Sequence, residues 1–135
     1  MAESLLLVDD EEGIRESLAE YLALQGFDIT VAAGEAEAWD LAQARPYPVV
    51  VSDMNLGKES GLSLIKRLKK ALPFGVEPYC ILMTGSGPQE LAADALHDGM
   101  DDLLRKPFSL PELGRALDKA RQRRRASSLG RSNDK

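Results

Sequence analysis

The stretch Leu5-Leu6-Leu7-Val8-Asp9-Asp10 is a continuous apolar run that stops in two carboxylates. Two more runs end in reactive groups: Val49-Val50-Val51-Ser52 leads into Asp53, and Leu103-Leu104-Arg105 into Lys106-Pro107. Short unbroken apolar runs read as strands buried on both faces, which are the strands of parallel sheets. Carboxylates and a lysine at the ends of such strands stand along the sheet's carboxyl edge, where open α/β sheets keep their ligand sites.

Outward from these runs, helix and strand signals alternate. Ile14, Leu18, Tyr21 and Leu22 recur at helical spacing and predict a first helix that Gly26 ends. Phe27, Ile29 and Val31 alternate as a half-buried edge strand does. Residues 35–44, with Ala38, Leu41 and Ala42 inward, predict a second helix left through Pro46 and Pro48, and Trp39 reads as packing. After the strand at 49–52, a polar loop containing glycine leads to a helix from about Gly61. Its stripe is Leu64, Ile65, Leu68 and Leu72, and Pro73 and Gly75 stop it. Residues 79–83 predict the fourth strand. Ser86-Gly87-Pro88-Gln89 and Ser109-Leu110-Pro111-Glu112 both have capping-box spacing with proline in the first turn, and they introduce the last two helices. The final helix presents Leu113, Ala116, Leu117 and Ala120.

The chain has 135 residues, 44% of them hydrophobic, enough for one domain with a sizeable core and too few for two. We place the domain at 1–120 and a basic, flexible tail or the start of a linker at 121–135. Residues 1–120 hold 11 basic and 21 acidic side chains, whereas 121–135 hold 6 and 1. The acidic body argues against a nucleic-acid surface on the domain itself, and Arg121-Gln122-Arg123-Arg124-Arg125 reads as a solvated helix end. No apolar run approaches the roughly 20 residues of a membrane span. A soluble, cytoplasmic protein without a membrane partner is expected. The single cysteine, Cys80, lies in a strand and reads as a core residue. With His97 as the only histidine, a multi-histidine metal site or a Ser-His-Asp triad is hard to build.

Five βα units require a parallel sheet with right-handed crossovers and helices on both faces. The fold class is α/β, a flavodoxin-like (βα)5 sandwich of strand order 2-1-3-4-5, which leaves the alternating second strand at an edge. The first and third strands are then neighbours, and Asp9, Asp10 and Asp53 converge. Each aspartate alone is explained equally well as a helix or turn cap; three at one edge favour a site. Carboxylates so close repel one another and need a cation or raised pKa values; a hard divalent cation such as Mg²⁺ is the economical solution, keeping positions for water and phosphate oxygens. Lys106 and Thr84, from the fifth and fourth strands, offer an ammonium and a hydroxyl to a phosphoryl group. Pro107 after Lys106 suggests a sharp turn, with a cis peptide one way to make it.

Over residues 3 to about 120 the chain closely resembles the receiver domain of two-component response regulators. The carriers are Asp9-Asp10 after Leu-Leu-Val, Asp53-Met54-Asn55 with Gly61 opening the next helix, Met83-Thr84-Gly85, and Lys106-Pro107-Phe108. Each is weak alone; together, in order, they are specific. The resemblance implies Mg²⁺-dependent phosphorelay signalling, with Asp53 accepting a phosphoryl group from the phosphohistidine of a sensor histidine kinase or phosphotransfer protein. It further implies Mg²⁺ on Asp10, Asp53 and the Asn55 carbonyl, with Asp9 acting through water, and phosphoryl contacts from Lys106 and Thr84. Such a protein is not an enzyme but a phosphoacceptor that assists its own phosphorylation and dephosphorylation, and it signals to an output domain or partner protein. The chain departs from the pattern at Gly57, where proline is usual, and at Leu103, where many members carry Tyr or Phe; Ser86 occupies a position that influences phosphoryl lifetime. With no aromatic at 103, the response is expected in the loop 84–87 and the helix 88–99.

Two other readings stand beside this one. A pseudo-receiver would keep the fold as an interaction module without phosphorylation. A Mg²⁺-dependent phosphohydrolase working through an aspartyl phosphate commonly carries Asp-x-Asp on its first strand, whereas here the pair is adjacent and the nucleophile lies on the third.

Overall fold

The structure, a computed structural model, describes residues 3–85 and 100–133, with side chains as far as residue 123. Its elements are β1 (Ser4–Val8), α1 (Glu12–Leu24), β2 (Asp28–Ala32), α2 (Glu35–Ala44), β3 (Val49–Asp53), the short strands β4 (Asn55–Leu56) and β5 (Glu59–Ser60), α3 (Gly61–Ala71), a 3-10 turn (Pro73–Gly75), β6 (Tyr79–Thr84), β7 (Asp102–Arg105) and α4 (Leu110–Asn133). The cap expected at Ser86, the helix 88–99 and His97 lie outside the described residues.

The main sheet is parallel with order β2-β1-β3-β6-β7. This is the expected 2-1-3-4-5 once β4 and β5 are left out of the count. Side chains alternate across a strand, so each central strand feeds two cores. Leu5, Leu7, Val49, Val51, Ile81 and Met83 meet α1 and α4. Leu6, Val8, Val50, Cys80 and Leu82 meet α2 and α3. Cover on both faces is why Leu5 to Val8 are fully buried. Cys80 is a core residue as expected, its thiol pushed up to about 12 by burial, which leaves no reactive thiolate near neutral pH.

Local signals hold where the partner is close in sequence. Ser109 Oγ accepts the Glu112 N–H at 3.2 Å while Glu112 Oε1 accepts the Ser109 N–H at 3.3 Å, the capping box expected before α4. Ser60 caps α3 through the N–H groups of Leu62 and Ser63.

Other expectations change. Phe27 and Ile29 pack against the α1 side, but Val31, next in the alternation, is 42% exposed on the edge strand β2. The loop after Asp53 is a hairpin, pairing Asn55 with Ser60 and Leu56 with Glu59. Helix α3 ends not at Pro73 but with Leu72 in the left-handed region, φ 46°. Finally, α4 continues past residue 120 as far as Asn133.

Two arginines of that continuation turn back onto the body. Arg121 lies 4.4 Å over the Phe27 ring and donates to the Gln25 carbonyl. Arg123 pairs with Asp101, which also accepts from Lys69 Nζ at 2.6 Å and from the Cys80 N–H at 2.8 Å. Among the described residues, no helix is long and apolar enough to cross a membrane.

Candidate functional site

Strand register assembles the site. Val8 pairs with Ser52 and Asp53 with Met83, so Asp9, Asp53 and Thr84 leave adjacent strands at nearly the same height. Thr84 pairs with Arg105, which delivers Lys106 one residue later. The Lys106–Pro107 peptide is cis. Asp9, Asp10, Asp53, Asn55, Thr84 and Lys106 thus gather at one end of the sheet, with Asp10 on the loop after β1 and Asn55 at the start of the hairpin.

One oxygen from each of Asp9, Asp10 and Asp53 lies within 4.8 Å of the other two. Asp9 is fully buried, Asp53 nearly so, and Asp10 is exposed. Asp53 divides its carboxylate: Oδ1 accepts the Asn55 N–H at 3.0 Å and Oδ2 the Lys106 ammonium at 2.6 Å. Burial acts against the Lys106 charge, but the Asp53 hydrogen bond and the surrounding carboxylates outweigh it and raise the lysine above its ordinary value. The Asp9 Oδ1 atom accepts the Glu11 N–H at 2.9 Å, and Arg15 donates to the Asp9 carbonyl at 2.9 Å.

Asp9 Oδ2 is buried with no hydrogen-bond partner among the described residues. Burial first, then the charges of Asp53 and Asp10, push the Asp9 carboxyl above the usual carboxylate range against the pull of the Glu11 N–H and Lys106. A buried acceptor without a donor, facing two further carboxylates, fits a hard divalent cation with oxygen ligands.

The Thr84 hydroxyl does not reach Asp53. It sits 3.7 Å from Met54 Sδ and 3.4 Å from the Gly85 carbonyl. Leu103 is half-buried against the α2 and α3 side. Gly57 at the hairpin tip has φ 72°, a value closed to proline, which accounts for glycine there. Three contributors were given no role at the site from the sequence, although Met54 and Gly61 stand among the residues that carry the resemblance. Met54 holds the Thr84 hydroxyl, Arg15 holds the Asp9 backbone, and Gly61 lets the start of α3 pass against the Asp53 carbonyl, 2.0 Å from where a Cβ would stand. The arrangement can hold a cation, neutralise a growing anionic charge with an ammonium, and present a carboxylate oxygen as nucleophile.

A family model described as "Response regulator receiver domain" matches residues 5–118. The chain is 35% identical over 129 residues to the transcriptional regulatory protein DltR of Streptococcus agalactiae serotype III, covering 96% of this chain and 55% of that protein. It is 35% identical over 126 residues to the response regulator Rre1 of Synechocystis sp., covering 93% of this chain and 54% of that protein. The chain therefore spans about half the length of these relatives. Among solved structures, a response regulator receiver domain protein from Clostridium thermocellum superposes with TM-score 0.83 at 27% identity, over 92% of this chain and 98% of that one. The NtrX receiver domain from Brucella abortus gives 0.78 at 30% identity, over 86% and 96%.

Proposed function

The chain belongs to the family of response regulator receiver domains, and from that premise we propose that it is the phosphoacceptor of a two-component relay, taking a phosphoryl group on Asp53 from a phosphohistidine. The donor is a sensor histidine kinase or a phosphotransfer protein. The observation that carries the reading is the Asp53 carboxylate, 2.6 Å from the Lys106 ammonium and grouped with Asp9 and Asp10 within 4.8 Å.

An Asp53 oxygen attacks phosphorus in line with the P–N bond. The new P–O bond forms as the P–N bond breaks, and the imidazole leaves with the electron pair. Lys106 then exchanges its carboxylate partner for a phosphoryl oxygen, and the Thr84 hydroxyl turns from Met54 Sδ to another. Asp10, Asp53 and the Asn55 carbonyl would hold Mg²⁺, with Asp9 acting through water. Bound there, the ion neutralises the carboxylates and the phosphoryl charge. No side-chain base is needed for transfer, since positioning and charge neutralisation do most of the work. The same site assists later hydrolysis, so the protein is a self-assisted acceptor rather than a turnover enzyme.

An apolar cleft beside Lys106, lined by Ile14, Leu18, Pro107 and Phe108, gives the donor a surface to rest on. Because the relatives are about twice as long, the receiver acts on an output domain or partner protein, in the cytoplasm where such relays operate. Arg121 and Arg123 are engaged by Phe27 and Asp101, which supports a domain that offers nucleic acid no surface of its own. The test is intact mass after incubation with Mg²⁺ and a small acyl phosphate. Wild type gains one phosphoryl mass and Asp53→Asn gains none. Equal labelling of the mutant overturns the assignment, and no labelling of wild type leaves an interaction module that accepts no phosphoryl group.

A further inference from the structure

Glu59 has no part in the site as described, yet its carboxylate ties the hairpin behind Asp53 to a second element. Oε1 accepts the Glu35 N–H at 3.0 Å, at the N-terminus of α2. The N-cap there is Gly34, which has no side chain to cap with, so the carboxylate from β5 does so at a helix end that favours negative charge. The fit is mutual: a Cβ built on Gly34 would stand 2.7 Å from that oxygen. The far end of the tie is itself fixed, because the Glu35 carboxylate accepts from Arg67 at 2.9 Å and from Ser63 at 3.4 Å, both on α3.

The near end bears on the acidic cluster. Glu59 pairs with Leu56, the neighbour of Asn55, whose N–H holds Asp53 Oδ1. The tip of the hairpin is Gly57, and the point where its Cβ would sit lies 3.7 Å from Asp10 Oδ2. Strands of two residues do not set their own position. Leu56 anchors one strand in the core, 4% exposed, and Glu59 fastens the other from outside.

We propose that Glu59 is a positioning residue for phosphoryl transfer, a strut that holds the Asn55–Ser60 hairpin over Asp10 and Asp53 by bracing it on the N-terminus of α2. The proposal rests on the acidic cluster being the Mg²⁺ site.

Four variants of the whole chain test it, with Mg²⁺ alone as ligand. Glu59→Ala weakens Mg²⁺ binding about fivefold, the equivalent of one hydrogen bond of about 1 kcal/mol, and speeds amide exchange of residues 55–60 in metal-free protein by a similar factor. Glu59→Gln, which still offers an oxygen to the Glu35 N–H, restores both to within about twofold. Gly34→Ala, whose methyl displaces the carboxylate and leaves Glu59 in the sequence, behaves like Glu59→Ala. Glu37→Ala removes a different cap of the same helix, the 2.9 Å bond from the Ala33 N–H, and leaves Mg²⁺ binding and hairpin exchange unchanged. Unaltered hairpin exchange in Glu59→Ala overturns the strut, as does an equal loss in Glu37→Ala, which would make Glu59 a stabiliser of α2 only. If wild type binds no Mg²⁺, the cation reading fails, while the exchange rates still decide on the strut.

Discussion

Replacing Gly61 with alanine sets two physical effects against each other at the start of α3. Helix propensity alone favours alanine by up to about 1 kcal/mol. The surroundings forbid it: the added methyl would stand 2.0 Å from the Asp53 carbonyl oxygen, 2.6 Å from Ser52 Oγ and 2.9 Å from the Asp53 carbonyl carbon. Ordinary carbon contacts begin beyond about 3.4 Å, so the backbone must open by more than about an ångström. Two of the three obstacles are main chain, which cannot swing aside as a side chain does. Overpacking of this kind costs about 1–3 kcal/mol, and the upper end applies here, so the net loss is about 2 kcal/mol. For a domain of this size the midpoint of thermal unfolding falls by about 8 °C. The displaced carbonyl belongs to the proposed acceptor, and misplacement by an ångström can cost about 10²-fold in rate, so phosphoryl uptake should slow by about 10- to 100-fold. Urea titration and mass-detected phosphorylation measure the two effects. Gly13→Ala is the control, since Gly13 lies in α1 with nothing within 4 Å of the new methyl; it should keep the propensity gain. A Gly61→Ala protein as stable as wild type would refute the steric reasoning, and a stable one with normal uptake would also free the Asp53 backbone of any role.

Asp9 gives a pH signature. Its folded carboxyl lies above the ordinary 3.8, so its favourable contribution is complete below that value and is lost as pH rises through the folded one, the reverse of a salt-bridged carboxylate. In EDTA, Asp9→Asn should therefore be more stable than wild type at pH 7 and less pH-dependent between about pH 4 and 7; thermal melts showing a destabilised mutant at pH 7 would reverse the reading. At the opposite end of the sheet, Asp101→Ala leaves the nearly buried Lys69 without its 2.6 Å partner and should cost about 3 kcal/mol by urea titration. A loss below about 1 kcal/mol would mean that water replaces the carboxylate.

What could be read from the chain depended on the distance to the deciding partner. The strand ends at Asp9, Asp53 and Lys106 were legible because buried parallel strands leave an unbroken apolar signature and the register follows from the fold. The Ser109 and Glu112 cap was legible because both partners lie within one turn. The hairpin Asn55–Ser60 was not, since two-residue strands carry no alternation and Glu59 answers to Glu35, 24 residues away. Val31 repeats the period of Phe27 and Ile29, but period says nothing of where cover ends on an edge strand. Arg121 and Arg123 look like solvated charge until Phe27 and Asp101 are brought beneath them. Thr84 was legible at its strand end but not in its contact, the Met54 sulfur 30 residues away.

The run of α4 past residue 120 makes angle, rather than reach, the variable on that side of the domain. Residues 121–133 add about 20 Å of helix in some three and a half turns. Removing one residue from that span rotates everything beyond it by about 100° and draws it in by only about 1.5 Å, whereas removing seven returns it to within about 20° of its starting azimuth. Shortening or lengthening this segment by single residues therefore changes the direction in which the helix end faces far more than its height above the domain, with a period set by the helix.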